Sequence, residues 1–388
     1  MEHYDVAVVG LGGIGSATAW FAARGGRSVI GLERYALGGH HHGASHDHSR
    51  IIRHSYHTPH YVHLTRLAYD AWRDAEAESG ETCVHITGGI DLFPHGAAID
   101  IETYRHSMRA AGVPFDELTA GETMVRWPAW HLPDDAEVLY QANTGIVSPA
   151  ATVPLLQGLA TTRGATLRGA STVVALEPDG DHVTIRLDDG ADVVAAHVVI
   201  AADAWTAPLL EPLGMSLPLT VTREQVTYYD TATPTSFGSE AFPVWIWMDD
   251  PSFYGFPTFG RPGVKIAQDC GGLPVDPDRR GFEPDPAILA RTDAFAASAF
   301  GGRLGVALST TTCLYTLTPD RDFVVDSLPD HPNVHVALGA GHGYKFVAWF
   351  GRTMAALATD SEPGCDLTPF RLDRPALTDP SWQASWLV

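Results

Sequence analysis

Two residues stand out by their rarity. The 388-residue chain has 25 lysines and arginines, yet only Lys265 and Lys345 are lysines. Where arginine serves as the general surface cation, a retained lysine marks a position that needs a compact ammonium whose pKa burial can shift. Such a group can hold an anion or stabilise charge that develops during a reaction. A second concentration is the stretch HHHGASHDHSRIIRHSYHTPH from His40 to His60, with eight of the nineteen histidines and with Arg50 and Arg53. Imidazoles at this density invite a metal. A metal site, however, needs three or four converging ligands, each oriented by its own hydrogen bonds. Nothing else in the chain supplies them, so no metal is expected. The two arginines offer planar forks that suit a carboxylate.

The elements that must position these groups begin at the N-terminus. Residues 4–9 form an apolar, β-branched run, followed by GLGGIG and then SATAWFAARGG: strand, glycine-rich turn, helix. A second strand, residues 28–32, ends on Glu33. Gly10, Gly12 and Gly15 have G-x-G-x-x-G spacing, and an acid lies about 20 residues further on, as a dinucleotide site requires. Gly10 permits the tight turn, Gly12 lets backbone approach a pyrophosphate at the helix N-terminus, and Gly15 lets the helix pack on the strand. Glu33 can accept hydrogen bonds from ribose hydroxyls. The motif alone leaves FAD and NAD open. Two later strand–turn–helix segments favour FAD: VVAAHVVIAADAWTAPLL at 193–210, and VHVALGAGHGYKFVAWFGRTMAALA from residue 334. In the second, Gly341 and Gly343 open a helix whose N-terminal dipole could meet a flavin or a substrate carboxylate.

Composition narrows the class. Hydrophobic content of 45% and charged content of 18% suit a globular protein with a substantial core. A net charge of −21 disfavours nucleic acid and anionic membrane surfaces as partners. No apolar run reaches the roughly 20 residues of a membrane span, and MEHYDVAVVG lacks the basic start of a signal peptide. Cys83, Cys270, Cys313 and Cys365 are scattered, with neither disulfide framework nor zinc motif. A cytoplasmic protein is expected. Residues 83–147 and 221–307 carry alternating strand patterns rich in proline and aromatics. The expected architecture is α/β: a Rossmann-type FAD-binding domain (1–82, 148–220, 308–388) with a mixed-sheet substrate domain (83–147, 221–307) inserted.

Four ordered motifs go further: GLGGIG…GLER, SHDHSRIIRHSY, FYGFPTFGRPGVKI, and TTTCLYTLTPDRDFVVD…GAGHGYKF, with DLTPFRLDRPAL near the end. Over essentially the whole chain they resemble the monomeric sarcosine oxidase and N-methyltryptophan oxidase family of FAD-dependent amine oxidases. The resemblance implies a glutathione-reductase-like, D-amino-acid-oxidase-related fold and a monomer. It implies FAD bound covalently at Cys313 as an 8α-thioether, with Arg34 and Ser49 also on the cofactor. Lys265 would promote reaction with O2 from the flavin face opposite the substrate, and His46 and Arg50 would lie by the ring. Arg53 and Lys345 would clamp the substrate carboxylate, with Tyr254 in the wall. The implied activity is oxidation of the C–N bond of a secondary (N-methyl) or cyclic amino acid, with hydride passing to flavin N5 and O2 going to H2O2. Alternatives are a biosynthetic tailoring enzyme that desaturates a cyclic or amine-bearing amino acid, and a dehydrogenase with a non-oxygen acceptor. The chain departs from the family at Asp269, where a histidine is usual, and at Thr58, where a glutamate is. It also departs at Asp203, a turn glycine in the family, and at Trp245 and Trp247, expected in the substrate wall. Asp269 would either favour a substrate with an extra donor or pair with a neighbouring arginine.

Overall fold

The computed structural model describes residues 2–387 and arranges them on three sheets. At the centre of an eight-stranded sheet lies Glu2–Val9, parallel to Val29–Leu32 on one side and to Asp192–Ile200 on the other. Thr166–Arg168 extends the sheet beyond Val29–Leu32, and His331–Leu338 runs parallel to the last residues of Asp192–Ile200. Strands covered on both faces must be apolar throughout, which the runs of valine and isoleucine here provide.

The covering helices pack through small residues. Helix Gly13–Arg24 is glycine- and alanine-rich and buried along most of its length. It crosses helix Val347–Leu357 so closely that a Cβ on Gly351 would lie 2.4 Å from Ala17 Cβ. Trp20, Trp72, Trp349 and Phe350 fill the space around the crossing. Helix Pro59–Ser79 begins at Thr58, whose Oγ1 accepts from the Tyr61 backbone N–H at 3.3 Å. Thr58 is therefore a helix cap followed by proline at the first position, a structural reason for threonine there.

The second sheet has nine strands. Its longest pair is Thr220–Thr231 with Leu304–Leu317, antiparallel, followed by Val264–Gln268, Phe253–Phe256 and Val244–Trp247. Gly89–Phe93, Glu137–Gln141 and Asp116–Thr119 complete that side. Leu304–Leu317 runs unbroken across position 308, the expected domain boundary, so Cys313 sits in this sheet. A small sheet of Arg50–Ile52, Gly145–Val147 and Val84–Ile86 likewise combines chain from both expected domains. Among the described residues no helix is long and apolar enough to cross a membrane.

Gly351→Ala adds a methyl where the two helices touch. It should cost about 1–3 kcal/mol, the usual range for overpacking, and lower Tm. An unchanged Tm would show that the helices separate freely there.

Candidate active site

A cavity of about 390 Å³ runs between the sheets, from Gly10 and Gly12 past Arg50 to Lys345. Gly10 has φ 88°, and a Cβ there would lie 2.7 Å from the carbonyl oxygen of Ala201. A Cβ on Gly15 would lie 1.8 Å from the carbonyl oxygen of Gly10, so helix and turn fit only without it. Gly12 leaves the helix start without a side-chain cap, and the positive end of its dipole faces the cavity. Glu33 accepts from the backbone N–H groups of Leu11 (2.8 Å) and Tyr35 (2.9 Å) and lies 3.2 Å from His40 Nε2. Burial works against its charge, but these hydrogen bonds outweigh it and hold the carboxyl below its ordinary pKa. At the far end Arg34 pairs with Asp278 at 2.7 Å, and Asp278 also accepts from Trp205 Nε1 at 2.8 Å. The glycine cradle, a helix start whose Gly13 N–H donates to Ser45 Oγ at 2.9 Å, and an ionised acid at the second strand's end fit a dinucleotide. Gly10, Gly12 and Gly15 would hold its pyrophosphate, with Glu33 and Arg34 toward the adenosine.

Along the middle of the cavity the small sheet delivers Arg50, whose guanidinium donates to the carbonyls of Ser49 (2.9 Å) and Ala44 (3.0 Å). Behind it Lys265 is almost wholly buried, and its Nζ donates to Asp47 Oδ2 (2.7 Å), Ser49 O (2.9 Å) and Ser49 Oγ (3.2 Å). Tyr228 holds the other Asp47 oxygen at 2.7 Å. Burial draws Lys265 down to about 8, partly offset by Asp47. His46 is buried with neither ring nitrogen bonded, and burial together with Arg50 lowers it to about 3, so it is neutral. Cys313 is buried, and desolvation pushes its thiol up to about 11. Neither Lys265, His46 nor Cys313 reaches the cavity wall, although Leu314 and Tyr315 beside Cys313 do.

The inner end is a chamber of paired charges. Arg53 meets Asp91 at 2.9 Å, both buried. Arg321 grips Asp269 with two hydrogen bonds, 2.7 and 2.8 Å, and also donates to the carbonyl of Trp386 at 2.6 Å. The arginine alternative for Asp269 thus holds. Lys345 is different. Its Nζ donates to Tyr56 OH and His342 O, both at 3.0 Å, and among the described residues no carboxylate comes within ion-pair distance. Burial, with Arg53 and Arg321 adding to it, depresses its pKa well below the ordinary lysine value. Tyr254 lines the chamber, its hydroxyl 3.4 Å from that of Tyr315. Gly341 (φ 78°) and Gly343 shape the turn that presents Lys345.

Several expected residues lie elsewhere. Trp245 and Trp247 are not in the wall: side chains alternate along Val244–Trp247, and both indoles pack against Phe295 in the sheet's own core. Ile246 faces the cavity instead. Asp203 does line the cavity, at φ 47°, and burial raises its carboxyl to about 6. The remaining histidines serve locally. His40 meets Glu33, His42 stacks on Tyr35 with centroids 3.9 Å apart, and His54 bonds Thr65 at 2.7 Å. No group of His, Cys, Asp or Glu among the described residues could hold a metal. Sequence reading missed Asp47, Tyr56, Asp91, Arg321 and His342. Asp47 and Tyr56 both lie in the histidine stretch, three residues before Arg50 and three after Arg53, and so carried a local signal.

A dinucleotide cradle leads into a buried cationic chamber, and residues 5–357 match the FAD dependent oxidoreductase family. The chain belongs to that family. It is 31% identical to the monomeric sarcosine oxidase of a Bacillus species, covering 97% of this chain and 98% of that one. It is 28% identical to the N-methyl-L-tryptophan oxidase of Citrobacter koseri, over 96% of this chain and 99% of that one. Among solved structures it superposes on NikD, described as an unusual amino acid oxidase essential for nikkomycin biosynthesis, with TM-score 0.85 and 28% identity. That alignment covers 100% of this chain and 99% of NikD.

Gly15→Ala forces the cradle open. Overpacking of about 1–3 kcal/mol, if it falls on the bound state, corresponds to a roughly 5- to 150-fold loss of flavin affinity. Flavin content of the purified protein, read from its absorbance, checks this; a fully flavinated variant would contradict the cradle.

Proposed function

We propose that the protein oxidises the C–N bond of a secondary (N-methyl) or cyclic amino acid, with FAD attached covalently to Cys313 and O2 reduced to H2O2. The observation that carries the reading is Lys345: a buried amine at the inner end of the cavity that, among the described residues, lacks the carboxylate its neighbours have. Lys345 and Arg53 would hold the substrate carboxylate, with Tyr56 fixing the ammonium. Tyr254, Tyr315, Ile246 and Phe256 would exclude water and hold the reacting carbon in one orientation. A dry chamber also favours the uncharged amine, the form with a free electron pair. Asp269, held by Arg321, leaves lone pairs for a donor on the substrate without an uncompensated charge. FAD, when bound, supplies the two-electron acceptor for the C–N bond. The relatives' names support an N-methyl amino acid, and NikD supports an amino acid processed in biosynthesis. A monomeric cytoplasmic enzyme acting on small molecules, with neither nucleic acid nor membrane as partner, agrees with this reading.

One observation favours a second reading, a dehydrogenase with another electron acceptor. The Lys265 ammonium is already neutralised by Asp47 at 2.7 Å, which weakens its pull on electrons moving to oxygen.

A peroxide-coupled screen of N-methyl, cyclic and side-chain-charged amino acids separates the two. The oxidase reading expects one H2O2 per substrate oxidised; dye reduction without peroxide would establish the dehydrogenase. The pH dependence has a definite sign. Lys265 loses its proton as pH rises through about 8, so flavin reoxidation by O2 should slow above that pH while anaerobic reduction does not share the step. Lys265→Met should abolish the step; a step that persists would move the oxygen role to another group.

A further inference from the structure

One buried acid has no part in binding or redox chemistry as described so far: Glu224. It lies on Thr220–Thr231, directly opposite Cys313 in the antiparallel register. Residues so opposed project to the same face with Cβ atoms about 4.5–5.5 Å apart. Only 3% of Glu224 is exposed. Its Oε1 accepts from Thr222 Oγ1 at 2.6 Å, and the Gly272 backbone closes over the same oxygen. A Cβ at Gly272 would come within 2.3 Å of the Arg223 carbonyl oxygen and 2.6 Å of Glu224 Oε1, so only glycine lets the loop lie this close.

Carboxylates in a sheet interior are costly, and nothing ion-pairs Glu224 among the described residues. The charged groups acting on it are Asp269 and Arg321, the pair at the chamber wall. Those acting on Cys313 are the cations Arg50 and Lys265 and the anions Glu224 and Asp47. Sulfur reacts as thiolate, and a buried thiol cannot lose its proton to bulk water without adding a charge to a closed site. Transfer within the pair avoids that, because one negative charge moves from oxygen to sulfur. There Arg50 and Lys265 favour it.

Resting on the reading that Cys313 carries the flavin, we infer that Glu224 accepts the Cys313 thiol proton during covalent attachment. In the proton step S–H breaks, O–H forms on Glu224, and the electron pair stays on Sγ. In the overall attachment one C–H of the flavin 8-methyl also breaks and one C–S bond forms. The two electrons and two protons released reduce the flavin ring system, which is reoxidised by O2 to H2O2. Burial holds the Glu224 carboxyl up at about 7, close to working pH, where a general base is most effective.

The test uses full-length chain from a riboflavin-starved host, mixed with FAD in air, and follows acid-stable flavin and intact mass over time. Wild type should attach flavin at a rate that rises with pH through the Glu224 ionisation. Glu224→Gln, alike in shape but unable to accept the proton, should attach at least about 100-fold more slowly and lose that inflection. Glu224→Asp should restore a pH-dependent rate. Wild-type rate and profile in Glu224→Gln would overturn the inference while leaving the Cys313 linkage intact. Wild type that never becomes acid-stable would overturn both. Flavin fluorescence quenching reports uptake of FAD before attachment. If Glu224→Gln fails to take up FAD, Glu224→Asp decides: pH-dependent attachment supports the role and pH-independent attachment contradicts it.

Discussion

An ammonium buried without a counter-ion is unfavourable, and the chamber is organised around one. The other chamber cations have their acids, Arg53 with Asp91 and Arg321 with Asp269, and behind the wall Lys265 has Asp47. Among the described residues Lys345 has a phenol and a backbone carbonyl as partners and no carboxylate. Burial, with Arg53 and Arg321 adding to it, disfavours its charged form, and an incoming anion would favour that form. Binding free energy is thereby concentrated at one point of the wall. A substrate anchored there places its remaining atoms against the part of the cavity where Tyr254, Ile246 and Arg50 meet.

The pairing of the other cations sets what the site will not do. Arg321 is spent on Asp269 and on the C-terminal Trp386 carbonyl, so a second substrate carboxylate would have to displace a bidentate contact. Lys265 is held behind the wall by Asp47 and Ser49, at a distance from the substrate carboxylate site and close to Cys313 and Arg50. In the proposed reading, substrate binding and electron release fall to separate lysines in separate electrostatic settings. That division explains why a chain that otherwise uses arginine keeps two lysines.

Much of this was legible in the sequence where the cause is local. The G-x-G-x-x-G turn and Glu33 are fixed by backbone sterics within 24 residues, and the scarcity of lysine singled out Lys265 and Lys345. The partners were not legible because they are distant in sequence. Lys265 and Asp47 are 218 residues apart, and Arg53 and Asp91 are 38 apart. Trp245 and Trp247 misled because aromatic residues on a strand suit a substrate wall and a sheet core equally. Only the phase of the alternation, set by Phe295, decides between them. The strand Leu304–Leu317 spans the expected boundary at 308, and a 14-residue strand gives no internal sign of which sheet it joins. Within the histidine run, His42 stacks on Tyr35 and His40 lies 3.2 Å from Glu33.

The central claim is that Lys345 waits for a carboxylate. It is tested most directly with tetrahydrofuran-2-carboxylate, the ring-oxygen counterpart of proline, which has no N–H to oxidise. Binding to the flavin-loaded protein is followed by the change in flavin absorbance, for wild type and Lys345→Met, alongside the uncharged amide of the same ring. Loss of a buried charge-assisted contact costs about 2–5 kcal/mol, so the variant should bind roughly 30-fold or more weakly and the amide should bind neither protein well. Equal affinity of wild type and variant for the carboxylate, or of wild type for carboxylate and amide, would contradict the account.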